Sequence, residues 1–167
     1  MTDALKECPR PRQTKFSFGA TSAIITNLGL IVGLDVMNHP RAAMIGGILI
    51  IALADNIADS FGIHIYQESE CLSKREVWVS TFANFVTRIG VSLTFILLVL
   101  LLPPALVVPC SVVWGLLLLV FISYAISRER GLNPFSSILE HILIAVFVVV
   151  LSHFVGHYIL IKSQMTG

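Results

Sequence analysis

From Leu93 to Val120 the chain is almost entirely apolar, with a double proline, Pro103-Pro104, near its middle. A transmembrane helix needs roughly 20 apolar residues. This stretch with its flanks is too long for one span, and a double proline cannot continue a helix, so it marks a corner between two spans. Comparable apolar runs stand before and after it. Of the 167 residues, 56% are hydrophobic and 13% charged, with a mean hydropathy of +0.87, against about 25% charged in a soluble domain. So much apolar surface cannot be hidden in a water-soluble core of this size, which leaves lipid as the solvent. The expectation is an all-α integral membrane protein, a five-helix bundle with the bilayer as its first partner.

The spans read as 17–37, closed by Asn38-His39-Pro40; 41–66; 77–102; 105–127, closed by Arg128 to Gly131 and Asn133-Pro134; and 135–161. They form one transmembrane domain, 17–161, between a polar tail, 1–16, and a short tail, 162–167. The start lacks the apolar run and small-residue cleavage site of a signal peptide, so the first span is read as retained. Cys8, Cys71 and Cys110 have no metal-type or disulfide spacing. No basic stripe or aromatic motif points to nucleic acid. No nucleophile elbow or zinc-protease motif points to an enzyme. A short chain of this kind suggests the plasma membrane of a prokaryote.

With five spans, Lys6, Arg10, Arg12, Lys15, Lys74, Arg75, Arg128 and Arg130 lie on one side, and Arg41 and Lys162 on the other. Eight against two places the N-terminus in the cytoplasm and the C-terminus on the opposite side; a four-span count loses this split. Small-residue pairs at Gly29-x-x-x-Gly33, Ala42-x-x-x-Gly46 and Ser152-x-x-x-Gly156 permit close helix approach. The Gly29/Gly33 face serves either a dimer contact or an internal one.

Ionisable groups at membrane depth are costly and mark function. In the second span Asp55, Asp59, Gly62 and Tyr66 share one face, continued toward Glu70. Such a track of oxygens suits hard or borderline divalent cations, or a proton relay. The competing role is an ion pair: Arg88 in the third span lies at the depth of Asp59, with Asn84 and Asn56 completing a buried polar network. Ser22, Thr26, Asn27 and Asn56 are candidates to line a path, as is Thr21, or to bond neighbouring helices. His153 and His157, four apart, are candidates for a proton or metal relay, or for an interfacial and a hydrogen-bonded histidine.

The order and spacing of these segments resemble the vacuolar iron transporter family. Gly19-Ala20-Thr21-Ser22-Ala23 leading to Gly29-Leu30-Ile31-Val32-Gly33-Leu34 is similar to the family's G-x-x-D-G…L…G-L opening. Ala54-Asp55 through Gly62 to Ser69-Glu70 is similar to its second helix, and Val155-Gly156-His157-Tyr158-Ile159 to its closing stretch. Position by position, Asp55, Gly62 and Glu70 match. Ser22 stands at the family's first-helix aspartate, Asp59 at its second-helix methionine, and His64 at the tyrosine after Gly62. The linker 67–76 is too short to hold the glutamate-rich cytoplasmic domain of some members. The resemblance implies a homodimer with an ion path between the first helices. It also implies transport of ferrous or manganous ions, as substrate rather than as a permanently bound cofactor.

The leading expectation is therefore a divalent-metal transporter moving metal out of the cytoplasm, in exchange for protons, with Asp55, Asp59 and Glu70 as ligands. Protonation of such carboxylates lowers their cation affinity, which couples the two ions. The alternative is a non-transporting membrane subunit or regulator that keeps the fold and uses its charges structurally.

Overall fold

The computed structural model describes residues 17–38, 40–69, 72–131 and 133–166; the tail 1–16, Glu70 and Cys71 lie outside them. Five helices follow in order: α1 Ser17–Val36, α2 Arg41–Ser69, α3 Lys74–Leu101, α4 Pro104–Arg130 and α5 Pro134–Thr166. Each is long and apolar enough to cross a membrane, and the described residues contain no strand. The protein is an all-α integral membrane bundle.

Local chemistry sets the boundaries. Asn38 takes the left-handed φ of 55° that ends α1, and its amide donates to the Asp35 carbonyl at 2.9 Å. The helix α3 starts three residues before the expected Val77. Ser73 and Glu76 form a capping box there, the Ser73 hydroxyl accepting from the Glu76 amide and the Glu76 carboxylate accepting from Ser73. Pro103-Pro104 makes the expected corner, with Pro104 at the first turn of α4. That helix continues past Ser127 to Arg130 and closes on Gly131 at φ 67°. The last helix also outruns expectation: with no glycine or proline between Gly156 and Gly167 to stop it, the backbone stays helical through Lys162–Gln164 to Thr166, so most of the expected C-terminal tail is helix.

The helix α1 sits at the centre and packs on all four others, which wrap it in the sequence α2, α3, α4, α5. Among the described residues α2 and α5 do not pack on each other, so the ring stays open along one side of α1. Ile24, Leu28 and Ile31 of α1 are fully buried, with Ile48 of α2, Phe95 of α3 and Leu119 of α4 in the same cluster. Register follows from cross-helix contacts. Gly19 meets Asn84 and Asn27 meets Ser92, while Gly29 meets Ser152 and Gly33 meets Gly156, so α3 and α5 run parallel to α1. Asp59 pairs near Ser22 while Gly47 lies against Leu30, so α2 runs antiparallel.

Of the two openings for the Gly29/Gly33 face, the fold uses the internal one. A Cβ on Gly29 would stand 3.0 Å from the Ser152 hydroxyl, and one on Gly156 only 2.8 Å from the Gly33 carbonyl oxygen. The two small-residue pairs thus meet each other within one chain, while Gly29 and Gly33 stay half-buried. A Cβ on Gly46 would meet nothing within 4 Å. An apolar groove of about 290 Å³ remains beside this contact, lined by α1 and α5 residues including Leu30, Met37 and Ile159.

Candidate functional site

Asp55 and Asp59 stand one turn apart on α2, and both reach the same guanidinium. Arg88 of α3 donates through Nη2 to Asp55 Oδ2 and through Nη1 to Asp59 Oδ2. The sequence left both aspartates as cation ligands, with an ion pair between Arg88 and one of them as the competing role; the arginine engages both. Arg88 is 2% exposed, whereas the Asp55 and Asp59 side chains are 41% and 29% exposed. The carboxylates therefore face inward to the arginine and outward to the surface of the bundle. Ser22 of α1, where the family resemblance places an aspartate, donates its hydroxyl to Asp59 Oδ2 at 3.2 Å. Two carboxylates against one guanidinium leave the cluster with one excess negative charge when all three are ionised.

A neutral network backs the charges. Asn84 Nδ2 donates to the Ser60 hydroxyl (3.1 Å), Ser60 donates to Asn56 Oδ1 (3.3 Å), and Asn56 Nδ2 donates to the Phe85 carbonyl (2.9 Å). Asn84 and Asn56 thus join the network expected of them, and Ser60 links them. On α3 the residues Ser80, Asn84, Arg88 and Ser92 are all buried, a polar stripe repeating every fourth residue in an otherwise apolar helix. That repeat was legible in the sequence as a signal for an inward polar face; only two of its members were singled out. The network is incomplete. Among the described residues Asn84 Oδ1, Arg88 Nε and Asn27 Oδ1 are buried and make no hydrogen bond.

The candidate path residues separate into two groups. Ser22 and Thr26 are half-buried, Thr26 returning its hydroxyl to the Ser22 carbonyl at 2.7 Å. Asn27 and Asn56 are wholly buried. Asn27 Nδ2 bonds the Ala23 carbonyl and Ser92, at 2.8 and 3.0 Å, because an amide on the central helix is satisfied most readily by its nearest packed neighbour. Glu70 lies outside the described residues. His153 and His157 stack at 6.4 Å between ring centroids on the exposed face of α5, away from the carboxylates. No group of three His, Cys, Asp or Glu side chains able to hold a metal occurs among the described residues.

Two histidine contacts are among those that escaped the sequence reading. His64 Nδ1 lies 3.1 Å from the Thr81 hydroxyl, with its ring 4.6 Å edge-on to Trp78. Ser123 of α4 lies 2.7 Å from His141 Nδ1 of α5. Both tie neighbouring helices together.

No protein-family model, curated protein or solved structure matches the chain. The site is defined by its own geometry: a carboxylate pair on a membrane helix, held by a buried arginine and open on the far side.

Proposed function

We propose that this protein is a membrane carrier of divalent metal cations of the ferrous and manganous class, with Asp55 and Asp59 as its ion ligands. The observation that carries the reading is the outward opening of both carboxylates at mid-helix, where a purely structural ion pair would be enclosed. The Ser22 hydroxyl beside Asp59 adds a neutral oxygen. The resemblance of the first, second and fifth helices to vacuolar iron transporters supports the same substrate class. Metal leaves the cytoplasm in exchange for protons, which compete for the same oxygens. A second copy of the chain closes the side between α2 and α5, making the carrier a homodimer.

A second reading has one specific observation in its favour. Arg88 engages both carboxylates, the arrangement a non-transporting subunit would use to pin α2 to α3.

Flux of ferrous, manganous, cobalt and zinc ions into liposomes, with and without a pH gradient, separates the two. Saturable flux that disappears in Asp55→Asn and in Asp59→Asn, each still folded, is the outcome expected of the carrier. No flux of any of these ions through folded wild-type protein leaves the structural reading standing.

A further inference from the structure

Resting on that reading of Asp55 and Asp59, we infer that Arg88 is a two-position internal counter-ion: its guanidinium occupies the cation site in the empty carrier and withdraws to buried amide oxygens, chiefly that of Asn84, when a divalent cation binds.

The first position is the one seen, with the guanidinium bonded to both carboxylates. It solves a problem every such carrier faces, since two bare carboxylates left behind by a departing ion in a low-dielectric bundle are costly. A tethered cation neutralises one of them. The second position is marked by acceptors that have nothing to accept. Asn84 Oδ1 and Asn27 Oδ1 are both buried and unpartnered, and so is the donor Arg88 Nε. Buried polar atoms without partners are uncommon in folded proteins, and here two acceptors and one donor fall within the same α1–α3 contact. Asn84 precedes Arg88 by one turn of α3, and Asn27 is bonded to Ser92, one turn beyond it.

Proximity is given by Gly19 of α1. A Cβ placed there would collide with Asn84 Oδ1 and lie 3.0 Å from Arg88 Cγ. The amide oxygen and the arginine stem therefore press on the same point of α1. In the second position the outer bonds of the Arg88 side chain rotate and carry the guanidinium from the carboxylates toward Asn84, while its stem stays against Gly19. Asn84 stays in place because its Nδ2 is held by Ser60. Neutral amide oxygens bind a guanidinium more weakly than carboxylates do. The displaced state is therefore the less stable one for the arginine, and it draws the ion off the site again. Substrate and side chain compete, which keeps the affinity low enough for release.

The test is Mn²⁺ titration of the purified full chain in four forms: wild type, Arg88→Gln, Asn84→Ala and the double variant. Removing the competitor in Arg88→Gln tightens Mn²⁺ binding by about tenfold or more, the scale on which a neighbouring arginine shifts the proton affinity of a carboxylate. Asn84→Ala takes away the second position and weakens binding severalfold, but only while Arg88 is present. The double variant therefore matches Arg88→Gln. A merely structural Asn84 gives the same loss in both backgrounds, so a cycle that closes additively overturns the inference. So does a folded Arg88→Gln that binds no tighter than wild type. If Arg88→Gln does not fold, Arg88→Lys, which keeps the charge but engages one carboxylate at a time, must bind Mn²⁺ tighter than wild type. If neither wild type nor a folded Arg88 variant binds Mn²⁺, the assignment of Asp55 and Asp59 as metal ligands has failed, and the counter-ion role falls with it.

Discussion

Toward α2 and α3 the central helix presents Gly19, Ser22 and Asn27, and each meets polar groups: the Asn84 side chain, Asp59 and Ser92 respectively. Toward α5 it presents Gly29 and Gly33, which meet Ser152 and Gly156 through close backbone approach. The same helix is thus held by directed bonds on one flank and by shape on the other. In lipid neither flank gains from the hydrophobic effect between helices. The bonded flank positions charge, and only there do the carboxylates and arginine lie. The close-packed flank is a spine that fixes α1 without adding charge.

The widest separation between the flanks is expected from Arg88. Replacing it by methionine strands two carboxylates at membrane depth, and the lost pairing costs about 3 kcal/mol or more. Asp55→Asn leaves a one-to-one pair of Asp59 and Arg88 and should cost far less, about 1 kcal/mol. Thermal unfolding of the two variants in detergent checks this. Equal losses would mean that the arginine is bound by one aspartate alone, and the bonded flank would be simpler than described.

On the other flank the strongest perturbation is Gly156→Val. A side chain there starts 2.8 Å from the Gly33 carbonyl oxygen and 3.3 Å from the Val36 Cβ, and backbone cannot rotate aside. Overpacking of this kind costs about 1–3 kcal/mol. Gly46→Val is the control, since a Cβ there meets nothing within 4 Å. Unfolding midpoints that fall for Gly156→Val and hold for Gly46→Val would establish that shape alone keeps α5 on α1. A comparable fall in both would remove the contrast between the flanks.

How much of this was readable in advance follows from what each signal encodes. The spans are set by apolar length, and the corner at Pro103-Pro104 by proline chemistry, so five membrane helices follow from the residues directly. The start of α3 was equally encoded, in Ser73 and Glu76, but a search keyed to apolar runs passes over a polar cap. That Arg88 pairs with α2 was legible from depth; that it takes both aspartates was not, because depth gives no lateral geometry. Asn27 shows the same limit. The helix α1 carries polar or small residues on several faces, and only its central position decides that Asn27 turns to Ser92 while Ser22 turns to Asp59. Gly29 and Gly33 announced a close contact without naming its partner. His153 and His157 announced a shared face, and the arc of helices around α1 turned that face outward.

The smallest expected effect is the most discriminating for the bonded flank. Asn27→Leu keeps the side chain's bulk and removes its bonds to Ser92 and the Ala23 carbonyl. Interhelical hydrogen bonds in membranes average about 0.6 kcal/mol and reach about 1.7, so the variant should lose no more than that. The cost is limited further because Asn27 Oδ1 already lacks a partner, and burying leucine in its place removes that unsatisfied oxygen. A paired measurement with Ser92→Ala settles where the energy sits. If the Asn27–Ser92 bond carries it, the two losses overlap, and the double variant unfolds near the midpoint of the weaker single. If the losses add, each residue acts through its own surroundings, and the join between α1 and α3 depends on the Asn84–Arg88 segment rather than on Ser92.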